Sequence, residues 1–138
     1  MSRSKIILIG IFIALISIFA SSFIQNPKEQ QMFKEAFFVE GVYSINDELI
    51  TVTFVDSTDK TQSLTLEILG MRESFQKKFT NTSNFTILVP FDSLPTYGWK
   101  VHPIVIDLYH EQLGHVGVKT EIRTDGEVIP PILRYRLD

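Results

Sequence analysis

The chain has 138 residues, with 13 basic and 16 acidic side chains and a formal net charge of −3. A chain of this sign is not expected to bind nucleic acid, because that partner requires clustered positive charge. The chain contains no cysteine, which excludes disulfides, thiolate metal sites and a cysteine-linked lipid anchor.

The first element along the chain is an uncharged apolar stretch, residues 6–24, which reads IILIGIFIALISIFASSFI and follows Arg3 and Lys5. As a helix it is about 28 Å long, close to the roughly 30 Å hydrocarbon core of a bilayer. Basic residues before it and acidic residues after it predict a cytoplasmic N-terminus. We therefore expect residues 1–24 to be a signal anchor, a single transmembrane helix with the remainder of the chain outside the cytoplasmic membrane.

A cleaved signal peptide is the alternative for this segment. Ala20 and Ser22 have the small-x-small spacing that a signal peptidase accepts. A retained helix gives a membrane contact through residues 6–24, whereas cleavage gives a secreted protein. Both alternatives export the rest of the chain. Residues 25–35, QNPKEQQMFKE, are polar, and we interpret them as a spacer that precedes an extracytoplasmic domain, 36–138.

The remaining residues are predicted to form an all-β domain. Short β-rich runs alternate with turn signals roughly every eight to twelve residues, a spacing typical of a sandwich. Pro103 interrupts the run 99–111 and predicts an edge or a bulge there. About seven strands and no helical period after residue 36 favour a two-sheet, immunoglobulin-like sandwich. The predicted strands are 37–45, 48–56, 62–71, 73–80, 85–91, 99–111 and 116–122. Residues 132–137 follow Pro130 and Pro131 and are expected to form at most a short edge strand.

The order of these runs resembles a known class of surface module. Between residues 64 and 122 the chain reads LTLEILG, SFQKKFT, NFTILVPF, WKVHPIVIDLYH and HVGVKTEI, separated by turns. Over residues 48–123 this order is similar to the immunoglobulin-like modules of archaeal and bacterial surface proteins, and to macroglobulin-type sandwich domains. The segment 95–99, PTYGW, departs from the Gly-x-Tyr order of those modules. The resemblance implies binding or spacing without chemistry.

A loop-end surface is the candidate binding site. Asp92, Tyr97 and Trp99 flank the loop that carries Pro95. Large aromatic side chains here are expected either to plug the core or to form a binding patch. Counting alternate turns along the chain predicts that 57–60, 92–98 and 125–127 share one acidic end of the sandwich, and that 46–47, 81–84 and 111–115 share the other.

Two further groups of residues are candidate sites. His110 and His115 flank a predicted hairpin and are expected to be exposed loop histidines, and they are weak candidates for metal ligands. Asn81 and Asn84 head two glycosylation sequons, NTS and NFT, in a predicted exposed turn of an exported domain.

The motifs of common enzymes are missing from the sequence. No G-x-S-x-G, phosphate loop or HExxH motif occurs, and the carboxylates are scattered. We therefore expect no enzyme and no cofactor. The predicted function is a membrane-anchored module that acts by protein or cell-surface contact, as an accessory or structural subunit of a surface layer. The alternative is an exported carrier of a small ligand or a metal.

Overall fold

The computed structural model describes residues 27–135. The chain divides after Gln31 into two compact units, and the fold described here is that of the unit Met32–Asp138. A 3₁₀ turn covers Trp99–Val101. The helix and the nine strands of the described residues are α1 Pro27–Ala36, β1 Phe37–Ser44, β2 Leu49–Asp56, β3 Thr61–Ile68, β4 Phe75–Thr80, β5 Asn84–Pro90, β6 Ile104–His110, β7 Gly114–Thr120, β8 Ile122–Thr124 and β9 Leu133–Tyr135.

The strands form two sheets that face each other across one core. The first sheet has the order β5-β2-β1-β8, and the second has the order β4-β3-β6-β7-β9. All neighbours are antiparallel except β1 and β8. The prediction of an all-β, two-sheet, sandwich-like fold is confirmed. The strand count rises from about seven to nine. The predicted strand 116–122 is divided, because β7 ends at Thr120 in the second sheet and β8 belongs to the first. The short edge strand expected near the C-terminus is β9.

The core follows from alternation along the central strands. In β2, Ile50, Val52 and Phe54 are 0% exposed, and their neighbours Thr51 and Thr53 lie on the outer face. Alternate residues of β3, β6 and β7 meet them from the second sheet. Burial of each large apolar side chain contributes about 1.5–3 kcal/mol to the free energy of unfolding. This burial is the main source of stability in a domain without disulfides.

The predicted spacer, 25–35, is mostly the helix α1. Pro27 begins the helix, as proline often does at the first helical position. Glu29 lies in its first turn and Lys34 in its last, which suits the helix dipole. Phe33 is buried, with its ring edge-on to Phe37 at 5.4 Å. The core therefore includes the end of the helix and with it Phe33, a residue of the predicted spacer.

The run predicted as one strand over 99–111 is also different in the structure. Trp99–Val101 form a 3₁₀ turn, and β6 begins only at Ile104, after Pro103. Proline has no N–H to donate to a ladder, so the strand begins after it. The Pro103 carbonyl still accepts a hydrogen bond from the Leu69 N–H at 3.1 Å.

The loops are distributed between the two ends of the sandwich differently from the prediction. The turn 57–60 lies with 81–83 and 111–113, since Asn81 N–H donates to Gln62 and Glu111 N–H to Lys60. The turn 45–48 lies instead with 91–103 and 125–127. The alternate count failed because it omitted the turn 69–74 between β3 and β4, and one omitted reversal exchanges the ends of every earlier turn.

No helix within residues 27–135 has the length and the apolar character needed to cross a membrane. The apolar stretch 6–24, to which the expectations of an anchor or a signal peptide apply, lies outside the described residues.

Candidate functional site

A groove of about 760 Å³ lies at the end of the sandwich that carries the loops 69–74 and 91–103. The first loop contributes Met71, Arg72 and Glu73, and the second contributes its early residues and His102. Both apolar and charged groups therefore face the groove. Such a mixture is typical of a surface that binds a partner with some polarity.

An aromatic cluster of Tyr43, Phe91 and Trp99 lies beside this groove, and Phe91 belongs to both. The Trp99 ring centroid lies 5.2 Å from that of Tyr43 and 5.5 Å from that of Phe91. Tyr43 is buried and stands edge-on to Phe91 at 6.0 Å. Trp99 Nε1 donates a hydrogen bond to Thr124 Oγ1 at 3.1 Å. The ring of Trp99 thus joins the core to the loop instead of standing free as a binding residue.

The two loops that line the groove hold each other in place. His102 Nδ1 lies 3.2 Å from the Leu69 carbonyl oxygen. Gly70 has a positive φ of 74°, and a Cβ at this position would collide with the Val101 carbonyl oxygen. A glycine is therefore required for the close approach of the two loops. Loops fixed in this way present a preformed surface, which lowers the entropic cost of binding.

The three predicted binding residues are not brought to one point. Asp92 lines the groove. Tyr97 is 84% exposed at the tip of the same loop, and Trp99 is half-buried in the aromatic cluster. The sequence analysis did not identify Arg72 and Glu73 as site residues. Counting the turn 69–74 as a strand reversal places them at this end of the sandwich. The end remains acidic, because its loops carry six carboxylates, Asp47, Glu48, Glu73, Asp92, Asp125 and Glu127, and fewer basic side chains, Arg72, Lys100 and the nearby Arg123.

A buried polar cluster lies at the opposite end, around Asp56. Its Oδ1 accepts hydrogen bonds from Thr58 N–H at 2.9 Å and Thr58 Oγ1 at 2.6 Å. Its Oδ2 accepts from Lys60 N–H at 3.1 Å and Thr61 Oγ1 at 2.7 Å. Burial by itself raises the pKa of Asp56, but these hydrogen bonds together outweigh it and hold the pKa below its ordinary 3.8.

His110 completes this cluster, and it is buried rather than exposed as predicted. Its Nδ1 accepts hydrogen bonds from the N–H groups of Gln112 and Leu113, both at 3.1 Å. The proton of the neutral ring is therefore on Nε2, which lies 2.9 Å from Thr58 Oγ1 and 3.4 Å from Asp56 Oδ2. Burial lowers the pKa of His110 below 6.5, and the attraction of Asp56 only partly offsets this.

His115 lies on the other face of the second sheet. Its Nε2 is 2.5 Å from Asp107 Oδ1, and its ring is stacked on Tyr109 with centroids 4.4 Å apart. His110 faces the core one position along β6 from Tyr109, the residue paired with His115. The two predicted metal ligands therefore point to opposite sides of one sheet. Among residues 27–135, no group of three or more His, Cys, Asp or Glu side chains is arranged to hold a metal ion.

The two sequon asparagines lie where β4 passes into β5. Asn81 is exposed, with a positive φ of 50°, and Asn84 is the exposed first residue of β5. Both positions are at the end opposite the groove, so a glycan on either leaves the groove open. Their use as acceptors stays a prediction.

Comparisons with protein-family models, curated proteins and solved structures give no match to this chain. The function is therefore argued from the geometry of the described residues.

Proposed function

We propose that this protein is an exported, membrane-anchored β-sandwich module that acts by contact with a protein partner, as an accessory or structural subunit at the outer face of the cytoplasmic membrane. The apolar stretch 6–24, with Arg3 and Lys5 before it, supports the anchor and its orientation. If that segment is cleaved, the same module is secreted.

The order of the strands supports an immunoglobulin-like assignment for this module. β1, β2 and β5 share one sheet, and β3, β6 and β7 share the other. An immunoglobulin constant-type domain divides strands A, B, E and C, F, G in the same way. β4 joins β3 here, whereas the fourth strand of the constant-type domain joins the sheet of strand E. Modules of this kind commonly bind through loops at one end of a rigid sandwich.

The observation that carries the proposed contact site is the groove between the loops 69–74 and 91–103. Its lining includes Phe91 of the aromatic cluster and three charged side chains, Arg72, Glu73 and Asp92. The exposed Tyr97 lies on the same loop. Tyrosine at a rigid, solvent-exposed loop tip is typical of binding hot spots. The opposite end carries the two sequons, where glycans would obstruct a partner. We therefore place the partner at the groove end, with Tyr97 and Asp92 as contact residues.

One labelling experiment tests both the location and the contact site. The chain contains no cysteine, so Lys100→Cys and Gln112→Cys each introduce a single thiol at an exposed position, one at each end of the sandwich, and both leave Tyr97 and Asp92 intact. Intact cells are treated with a maleimide that does not cross the cytoplasmic membrane. We expect both variants to be labelled on intact cells, and Lys100→Cys to be labelled several-fold more slowly than Gln112→Cys. The two rates should become equal once the protein is purified.

Two results would contradict the proposal. If neither thiol reacts until the cells are lysed, the domain is not outside the membrane. If both thiols react equally on intact cells, no partner covers the groove end. In the latter case the alternative, a carrier of a small ligand, is favoured, because a small ligand in the groove does not shield Lys100, which lies outside the groove lining.

A further inference from the structure

The open edge of the first sheet is formed by β5, and this strand has unusual properties for an edge. Within residues 27–135, β5 pairs only with β2. The segment 84–91, NFTILVPF, contains no charged residue. Leu88 is 60% exposed on the outer face. An uncharged edge of this length is prone to pair with another strand, because its backbone donors and acceptors have no partner in the sheet.

The other edges are protected in recognisable ways. β4 carries Lys77 and Lys78, and lysine on an edge opposes pairing. β8 and β9 have three residues each, so they offer few backbone groups. β5 is thus the one long, uncharged edge among the described strands.

The backbone hydrogen bonds show which groups of β5 face outward. Phe91 N–H donates to the Glu48 carbonyl at 2.9 Å, and Asp56 N–H donates to the Ser83 carbonyl at 2.7 Å. These residues belong to the same register as β2 and β5, in which Val52 pairs with Ile87. Because hydrogen-bonded pairs alternate in an antiparallel ladder, Phe85, Ile87 and Val89 bond to β2. The backbone groups of the even-numbered residues, 84, 86, 88 and 90, therefore point away from the sheet.

We propose that the β5 edge pairs with the β5 edge of a second copy of this chain, antiparallel and centred on Ile87. In that register Thr86 of one copy faces Leu88 of the other, and the two exchange both backbone hydrogen bonds. Asn84 N–H donates to the Pro90 carbonyl of the second copy. Pro90 has no N–H to leave unpaired, so the strand can pair over its full length.

The side chains of β5 agree with self-pairing. The pairing sets Ile87 beside Ile87 and Phe85 beside Val89 on the inner face, so apolar groups meet apolar groups. Phe85 and Ile87 are only half-buried, although Val52 and Phe54 beside them on β2 are fully buried. In the proposed dimer a second strand lies beside these half-buried side chains, so pairing removes part of their exposed surface from water. The contact is isologous and closes as a dimer.

The lysines of β4 are the charges closest to this contact. Phe79 of β4 is stacked on Phe85 of β5 at 4.1 Å, so the two edges lie on the same side of the sandwich. Pairing of two β5 strands brings Lys77 and Lys78 of the two copies toward each other. Salt screens this repulsion, so the proposed dimer is expected to be more stable at high ionic strength.

A disulfide in the full-length chain tests the register. In a non-hydrogen-bonded antiparallel pair the Cα atoms are about 4.5 Å apart, within the range of a disulfide. Ile87→Cys is therefore expected to form a disulfide-linked dimer under mild oxidant in membranes, and the yield should rise with salt. Leu88→Cys is the matched control, because its thiols would be diagonal neighbours about 7–8 Å apart. Gln112→Cys, at the end of the sandwich, controls for random collision.

A second change separates strand pairing from mere proximity. Thr86→Pro removes an outward N–H and no backbone bond to β2, although it also loses the long, exposed contact of 3.5 Å between Thr86 Oγ1 and Thr53 Oγ1. It is therefore expected to abolish the cross-link of Ile87→Cys while the unfolding midpoint falls only slightly. Equal yields from the three single-cysteine variants, no cross-link from Ile87→Cys in a folded protein, or a cross-link that survives Thr86→Pro would each overturn the proposal. A yield that falls with salt would also overturn it, because charge pairing would then hold the copies together.

Discussion

At the scale of single residues, the Asp56–His110 cluster has the largest consequence. Thr58 and Lys60 of the β2–β3 turn and Gln112 and Leu113 of the β6–β7 turn all bond to these two side chains. The cluster therefore ties a turn that leaves the first sheet to a hairpin of the second. A buried carboxylate and imidazole stabilise the fold only while each of their polar atoms keeps its hydrogen-bond partner.

The cluster predicts a loss of stability in mild acid. The pKa of His110 is lower in the folded chain than the ordinary 6.5, so the unfolded chain binds more protons as the pH falls below about 6.5. The stability that the neutral ring contributes is present above that pH and is lost as the pH falls through the folded pKa. The pKa of Asp56 lies below 3.8, so its contribution is lost only in stronger acid.

Chemical unfolding between pH 8 and pH 5 measures this effect. His110→Leu is expected to lower stability at pH 8 and to reduce its decline between pH 7 and pH 5. His115→Gln, on the outer face of the same sheet, serves as the control and should keep the decline of the original chain. A decline that is identical in His110→Leu and the original chain would show that another group is responsible.

At the scale of elements, the helix α1 and the strand β1 act as one piece. Phe33 and Ala36 are buried, and Phe33 contacts Phe37. Ser57 N–H donates to the Ala36 carbonyl at 2.8 Å, and Ser57 Oγ donates to the Glu35 carbonyl at 3.0 Å. The end of the helix is therefore fixed to the β2–β3 turn by both apolar packing and hydrogen bonds.

This packing predicts where a stable fragment begins. A fragment of residues 27–138 should unfold cooperatively, and a fragment of residues 37–138 should be less stable by about 2–3 kcal/mol, since the burial of one Phe contributes about that much. Phe33→Ala in the longer fragment should account for most of the difference. Addition of a chelator should leave the thermal midpoint of the longer fragment unchanged. Equal stability of the two fragments, or a midpoint that falls with chelator, would contradict this account.

At the scale of the whole molecule, the distance between the sheets depends on Gly41. It is buried in β1, and a Cβ there would collide with Cδ1 of Ile104 in β6 and lie 3.1 Å from Cγ1 of Ile122. The missing side chain lets Ile104 fill the space between the two sheets. Because protein interiors are close-packed, added volume here must push the sheets apart or displace a side chain.

Gly41 and Ile104 are therefore expected to be energetically coupled. Gly41→Ala should cost about 1–3 kcal/mol by overpacking, and Ile104→Val about 0.5–1.5 kcal/mol by loss of a methyl group. The double variant should cost less than the sum, because Ile104→Val removes the atom that the new methyl group meets. Costs that add fully in a double-mutant cycle of denaturant unfolding would show that the two residues do not share this space.

The sequence by itself determined the local features of this protein. Alternation in β2 and β5 predicted the strands and their buried faces, because a period of two follows from the geometry of a single strand. The uncharged stretch 6–24 and the absence of cysteine are likewise visible in the sequence without knowledge of any contact between elements. The sequence also placed the loops 81–83 and 111–113 correctly at one end of the sandwich, because no strand reversal was omitted between them.

Only the tertiary structure decided which residues meet. The burial of His110 depends on the turn 57–60, about fifty residues earlier in the chain, and no local pattern encodes that distance. The groove depends on the loops 69–74 and 91–103 lying at one end of the sandwich. The predicted count of strand reversals omitted the turn 69–74, and it therefore assigned the turn 57–60 to that end instead. Phe33 lies in a polar segment and is buried only because the sheet provides a surface for it. Contacts between elements are set by topology and close packing, which act on the whole chain at once.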